Sequence, residues 1–422
     1  MYYRSLYLRS YHLRPGYFNG PPSFQMKILV HDFAGHPFQM TLSRELAKRG
    51  HHVTHAYFAG DTGPKGSQGS EAFHNGGQIV VAAVGRQDGY SKTKFISRLL
   101  ADLSYRNHLR RFLRCRQFDI ILSGNTPLWV QGVLLTASKA MGAGFVYWCQ
   151  DIYSVAVSQH FEKRLGKLSW PLKRGLMGWD AWLMRQSDHV INITSRFSEL
   201  TGAWGVPADR TSVIPNWGAI DDLPQTEYDN EWALRNMPSA SKGRIIYSGT
   251  MGLKHNPQLL VDVATRLPYD VVVIGSGSGY DQLKDEALAN LKLLPLQPFE
   301  HLSEVLGSGD VLVALIERDA GEFSVPSKIL SYLCAGRPIV LAAPRDNLAS
   351  SIITKAGAGL VVEPEDQNGF VEAVREILGD PKLASQMGSA ARQYAEDHFK
   401  IENVADRFEA VFDRVSAAKL GE

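Results

Sequence analysis

Short, continuously apolar runs separated by longer amphipathic segments set the rhythm of this chain. In the first half such runs fall at 27–30, 53–58, 80–84, 119–122, 144–148, 189–194 and 212–216. They lack the strict alternation of a half-exposed strand, so they read as strands buried on both faces of a parallel sheet. Helical segments lie between them. The stretch 38–49 carries Leu42, Leu46 and Ala47 on one face and closes at Gly50, and further helices fit 129–141 and 195–203. The rhythm resumes with strands at 243–249, 270–274, 291–294, 311–315, 339–342 and 359–362, and with helices at 257–266, 302–306, 328–335 and 369–378. A final stretch, 390–417, is amphipathic and helical, and no strand follows it. Alternating strands and helices predict an α/β protein of two doubly wound, Rossmann-like domains.

Residues 26–216 form the expected first domain, 217–242 a linker marked by Pro215, Asn216 and Pro224, and 243–389 the second domain; 390–422 are expected to pack back on the first. Two domains also suit 422 residues, which exceed the usual size of a single core. Residues 1–25 carry tyrosines and arginines without an apolar signal core, and are expected to be a disordered extension ahead of Met26.

A net charge of +2 gives no argument for nucleic acid, so any basic function must come from local clustering. Two clusters exist. Residues 91–118 hold eight Lys or Arg against one acid, Asp102, with Phe95, Ile96, Leu99, Leu100 and Leu103 at helical spacing. Residues 163–185 place Leu172, Leu176, Trp179 and Leu183 on one helical face, with Trp170 and Trp182 nearby. Basic, tryptophan-bearing helices suit an anionic membrane surface; a core-facing helix with a solvated basic face has the same pattern. No apolar run approaches the roughly 20 residues that span a bilayer. The three cysteines, Cys115, Cys149 and Cys334, share no metal spacing and fit a reducing compartment.

Candidate chemistry collects where strands hand over to helices. Gly35 and His36 follow the first strand, without the full G-x-G-x-x-G of a dinucleotide site. Polar Gln150 and Asp151 follow the run 144–148, and in open α/β sheets that edge holds ligands. Gly249 ends the first strand of the second half, and Lys254 stands just beyond it. Gly275, Gly277 and Gly279 follow the next strand, too late in the domain for a dinucleotide fingerprint. The stretch 322–340 reads as a loop, a helix opened by Pro326, Ser327 and Lys328 and closed at Gly336, then a buried strand. A helix N-terminus with a lysine in its first turn can hold an anion, because free N–H groups and positive charge point the same way. The residues alone leave a solvated lysine equally open.

In this order the motifs resemble a retaining glycosyltransferase of the GT-B fold, family GT4. They are Met26-Lys-Ile-Leu-Val30 with Gly35 and Arg49-Gly-His-His-Val53; Val213-Ile-Pro-Asn216; Tyr247-Ser-Gly-Thr-Met-Gly252; Val273-Ile-Gly-Ser-Gly277; and Pro326-Ser-Lys328 through Gly336-Arg-Pro-Ile-Val340. The resemblance implies two domains facing a cleft and a nucleotide-diphosphate sugar as donor substrate, with no cofactor and no metal. It assigns the donor diphosphate to Gly249, Lys254, Ser327 and Lys328, and the acceptor side to Gly35, His36 and Asp151. The family's paired glutamates are not in place here: the second would stand at Ser331 and the first at Phe323, beside Glu322. Glu322 is therefore carried over as a sugar contact and Ser331 as a neutral ribose contact, with no catalytic residue assigned. The subgroup resembled assembles bacterial polysaccharides. It implies a lipid-linked saccharide acceptor and a cytoplasmic enzyme peripheral on the inner membrane face. A sugar-nucleotide epimerase or hydrolase, or a non-catalytic binding subunit, are the alternative readings.

Overall fold

The structure is a computed structural model describing residues 25–60, 69–86, 95–237, 243–252, 255–316, 318 and 327–421. All but Gln25 of the expected extension 1–25 lies outside the described residues.

The first half runs β1 (Lys27–Asp32), α1 (Pro37–Lys48), β2 (His52–Phe58), β3 (Glu71–Ala72), β4 (Gln78–Val84), α2 (Phe95–Leu113), β5 (Ile120–Gly124), α3 (Leu128–Met141) and β6 (Gly144–Cys149). It continues through α4 (Tyr153–Leu165), α5 (Trp170–Gln186), β7 (His189–Asn192), α6 (Ser195–Ala203) and β8 (Thr211–Val213). The strands order as β3-β4-β2-β1-β5-β6-β7-β8, parallel except for the antiparallel edge strand β3. After α7 (Glu231–Asn236) comes the second unit: β9 (Arg244–Thr250), α8 (Gln258–Arg266), β10 (Asp270–Ser276), α9 (Ser278–Gln282), β11 (Leu291–Pro295), α10 (Leu302–Gly307), β12 (Val311–Leu315) and α11 (Ser327–Ala335). It ends with β13 (Ile339–Ala342), α12 (Leu348–Ala356), β14 (Gly359–Val362), α13 (Gln367–Gly379), α14 (Pro381–His398) and α15 (Ile401–Leu420). Its sheet orders as β11-β10-β9-β12-β13-β14, parallel throughout.

Local chemistry explains the differences from the sequence reading. The strand expected over 212–216 stops at Val213, two residues before Pro215, which has no N–H to give a ladder. The basic stretch 163–185 is broken at Gly166, whose φ of 55° lies in the left-handed region, and α4 and α5 lie on either side of it. In α2 Tyr105, Leu109 and Leu113 lie in the core and Leu103 and Phe112 are half-buried, while the side chains of Phe95, Ile96, Leu99 and Leu100 lie outside the described residues. The expected boundary at 389/390 falls inside α14, which packs on α11; α15 is the helix that crosses to the first sheet.

That crossing is anchored at both ends. Phe408 of α15 is buried against Trp148 of β6, with ring centroids 4.9 Å apart, and Trp148 stacks on Trp217 at 5.7 Å. Gly144 leaves room for Val415, which a side chain there would strike. At the rim, Arg49 bonds Asp406 at 2.6 Å and Glu409 at 2.5 Å, and His51 reaches Glu409 at 2.9 Å. Phe408→Ala empties an aromatic site in this seam, and the expected cost is about 3–5 kcal/mol in chemical denaturation; a loss below about 1 kcal/mol would contradict the packing described.

Candidate functional site

Each sheet has one place where its strand order reverses, and ligands of open α/β sheets sit at such switch points. In the second sheet it lies between β9 and β12. These strands pair only through Val311 with Ile245 and Leu312 with Ile246, after which β9 stays with β10 and β12 with β13. The split is filled from α11. The Tyr332 hydroxyl accepts the Ser248 N–H at 2.9 Å and lies 3.3 Å from the carbonyls of Ser248 and Val313, to one of which it can donate. The N-terminus of α11 is thereby held over the opening.

One turn earlier on that helix, Lys328 Nζ donates to the Tyr247 hydroxyl at 2.5 Å and sits over the Tyr247 ring, 4.0 Å from its centroid. The same hydroxyl donates to the Thr250 carbonyl at 3.1 Å. Lys328 also covers Gly249, where a Cβ would lie 3.5 Å from Nζ and where φ is 130°, open to glycine and strained for other residues. Burial lowers the Lys328 ammonium to about 7. The cradle is therefore a cation held by a phenol against a bare backbone, beside the N–H groups of a helix end. An entering anion would find both. Ser331 lies partly exposed on the turn after Lys328. Ser327 begins α11; its side chain, Lys254 and Glu322 lie outside the described residues.

The alternate glycines after β10 serve packing. A Cβ at Gly275 would meet the Gly249 carbonyl at 2.8 Å, and one at Gly277 the Met251 carbonyl at 2.7 Å. They let two strand ends close on each other.

In the first sheet the reversal lies between β1 and β5. Asp32 at the end of β1 is buried, and it accepts the N–H groups of Ala34, at 3.1 Å, and of His36. His36 Nδ1 stands 3.3 Å from the same carboxylate. Burial would raise the Asp32 carboxyl, but His36, through its charge and hydrogen bonds, and His55 hold it below its ordinary range. Gly35, at φ 73°, makes the turn between them. His36 is thus the residue that enters α1 and is tied to Asp32. Asp151 is exposed after β6, on a small pocket shared with Asn125, Thr126 and Tyr153.

Three further residues matter that sequence reading gave no role, Tyr247, Tyr332 and Gln39; Gln150, which the sequence placed beside Asp151, joins them. Gln39 and Gln150 are buried, and both polar atoms of Gln39 and Nε2 of Gln150 have no hydrogen-bond partner among the described residues. Gln39 Oε1 and Gln150 Nε2 converge on Gly124, 3.2 and 2.9 Å from where its Cβ would be. Unmet amide capacity at a switch point can serve a polar ligand such as a sugar hydroxyl. Among the described residues no group of three His, Cys, Asp or Glu could hold a metal ion.

Two doubly wound parallel sheets, each with its switch point and joined by a returning C-terminal helix, are the arrangement of GT-B proteins. Sucrose-phosphate synthase from Thermosynechococcus elongatus superposes with a TM-score of 0.72 at 15% identity, over 93% of this chain and all of that one. HepE from Anabaena, in a complex with UDP-glucose, superposes at 0.63 with 14% identity, over 92% of this chain and all of that one. Residues 39–217 match the model for Glycosyltransferase Family 4, and residues 234–394 that for Glycosyl transferases group 1. Among curated relatives, the colanic acid biosynthesis glycosyl transferase WcaI of Escherichia coli is 30% identical over 232 residues, which is 52% of this chain and 56% of that one. The chain thus aligns with little more than half of that relative's length. This is a glycosyltransferase of the GT-B fold, and the chain belongs to the family 4 type.

The Lys328 cradle has a pH signature. Between about 7 and the ordinary lysine value the unfolded chain carries a proton here that the folded chain lacks. This site alone therefore makes stability rise with pH across that window, with a constant penalty below it. An anion bound beside Nζ restores the charged form. Calorimetry of nucleoside diphosphate binding at about pH 8, in buffers of different ionisation enthalpy, is expected to show proton uptake that Lys328→Met abolishes. Buffer-independent heats would contradict this coupling.

Proposed function

We propose that this glycosyltransferase takes its sugar from a nucleotide-diphosphate donor bound at the β9/β12 switch point. The observation that carries the reading is Lys328 over Gly249, held by Tyr247 at the N-terminus of α11. Departure of a diphosphate develops negative charge, and a fixed cation with helix N–H groups stabilises it without reorganising. No metal enters this account. Gly249 allows phosphate oxygens near the backbone, and Ser327, with Lys254, completes the donor contacts. Glu322 serves the sugar and Ser331 the ribose, the latter as a neutral partner weaker than a carboxylate. The complex of HepE with UDP-glucose supports a donor of this class.

The acceptor belongs at the first sheet's switch point, beside Gly35, His36, Asp151, Gln39 and Gln150. It is a saccharide carried on a lipid, and the product belongs to cell-surface polysaccharide assembly, a reading supported by the likeness to WcaI. Transfer proceeds with retention, and the family's front-face route needs no pair of carboxylates. The protein works at the cytoplasmic face of the membrane, held there through its two basic stretches, 91–118 and 163–185.

Lys328→Ala is expected to weaken nucleoside diphosphate binding by about 1.5–3 kcal/mol, the range for a hydrogen bond to a charged group. Unchanged affinity in calorimetry would remove Lys328 from the donor site. Purified protein, given radiolabelled nucleotide sugars and membrane lipid extract, separates the alternatives. Transfer to lipid supports the reading. Release or isomerisation of sugar nucleotide without acceptor favours an epimerase or hydrolase, and the absence of any turnover favours a binding subunit.

A further inference from the structure

Helix α5 presents an unusual outer face. Of its positions from 171 on, those exposed are Pro171, Leu172, Arg174, Gly175, Gly178, Trp179, Trp182, Arg185 and Gln186, a face with two cations, no acid and two tryptophans. Trp170, at its first position, is 60% exposed and Trp182 46%. Exposed tryptophans beside arginines suit the headgroup layer better than bulk water.

The helix is tied to the sheet past its middle. Asp180 is buried, accepting the Tyr147 hydroxyl from the end of β6 at 3.0 Å and the Ser154 N–H from the start of α4 at 3.2 Å. Asp180 thus ties α5 to β6 and to the start of α4, and the ten residues before it carry the helix ~15 Å on to Trp170 at 1.5 Å per residue. A groove of about 940 Å³ opens among α5, the end of α4 with the turn after it, and the end of α6. Trp170 and Trp204 wall it, and Met177, Gly178, Ala181 and Ala203 line its floor. Lys173, Arg174 and Arg185 reach it against one carboxylate, Glu162. Their ties are loose: Lys173 pairs with Glu162 on the surface at 3.1 Å, Arg174 leans on Trp170, and Arg185 spends one N–H on the Trp204 carbonyl at 2.7 Å. An exposed pair contributes little, and an arginine with one N–H used keeps four. The volume is that of a small-molecule site, enough for a headgroup and part of a chain.

We propose that this groove binds one anionic phospholipid of the bilayer, its phosphate at Lys173 and Arg174 and its acyl chain along Met177, Gly178 and Ala203. The proposal rests on the membrane reading above and adds to it a defined lipid site. It seats α5 in the headgroup layer.

The test uses the full chain and two probes: dihexanoyl phosphatidylglycerol below its micelle concentration, by native mass spectrometry, and vesicles of phosphatidylglycerol in phosphatidylcholine, by flotation. Gly178→Phe fills the groove at a position where a Cβ meets nothing within 4 Å, so folding is not strained. A one-to-one lipid adduct is expected on the native chain. It should be lost in Gly178→Phe and weakened about tenfold or more in Arg174→Glu, with vesicle binding reduced in both. Vesicle binding equal in the native chain and Gly178→Phe, with no one-to-one adduct, would overturn the groove and leave surface adsorption standing. No binding of the native chain to anionic vesicles would overturn both.

Discussion

The switch point of the second sheet depends on one hydroxyl in one gap. Where β9 and β12 part, a backbone N–H at Ser248 and a carbonyl at Val313 lose the partners that a continuous sheet would give them. A buried, unpaired N–H costs about as much as the loss of a hydrogen bond, so the split needs a polar filler. Tyr332 supplies it from α11, reaching Ser248 and Val313 together. This bond fixes the height and direction of the helix. Lys328, four residues earlier and so on the same face, is then delivered to Gly249 and Tyr247. The order of causes runs from sheet topology to a satisfied backbone, to helix position, to a placed cation.

The same logic holds less tightly in the first sheet. Asp32 satisfies the turn that enters α1, and His31, buried and bonded to Thr126 at 3.1 Å and Tyr105 at 2.7 Å, ties β1 to the loop after β5 and to α2. Burial drops His31 to about 4, so it stays neutral and works as a hydrogen-bonding post. Among the described residues, the amides of Gln39 and Gln150 at Gly124 keep polar atoms without partners. The two ends are held in one molecule by α15, whose Phe408 closes an aromatic stack on Trp148 and Trp217 and whose acids grip Arg49 and His51.

Strands of both sheets were readable because continuous apolar runs bounded by glycine and polar residues permit little else. Gly249 and Lys328 stood out for local reasons, as a glycine after a strand and a lysine after a proline. Tyr247 and Tyr332 did not. Each acquires its role from a partner more than eighty residues away, a separation that no local pattern carries. Helix α5 shows a second limit. Leu172, Trp179 and Leu183 share one side by spacing, yet Leu183 is buried while Leu172 and Trp179 are 41% and 37% exposed. Periodicity gives the angle of a side chain about its helix and says nothing of what packs against each turn. The departure at Ser331 was visible in the sequence. Its consequence is that position 331 brings no carboxylate to the helix whose first turn carries Lys328.

Hydrogen–deuterium exchange on the purified chain, with and without a saturating nucleoside diphosphate, tests the central claim most directly. If the split between β9 and β12 is the donor site, protection should rise in the peptides covering Gly249 to Met251 and the first turns of α11, and change little around Gly124 and Asp151. Protection confined to the first sheet, or none at either switch point, would contradict the account.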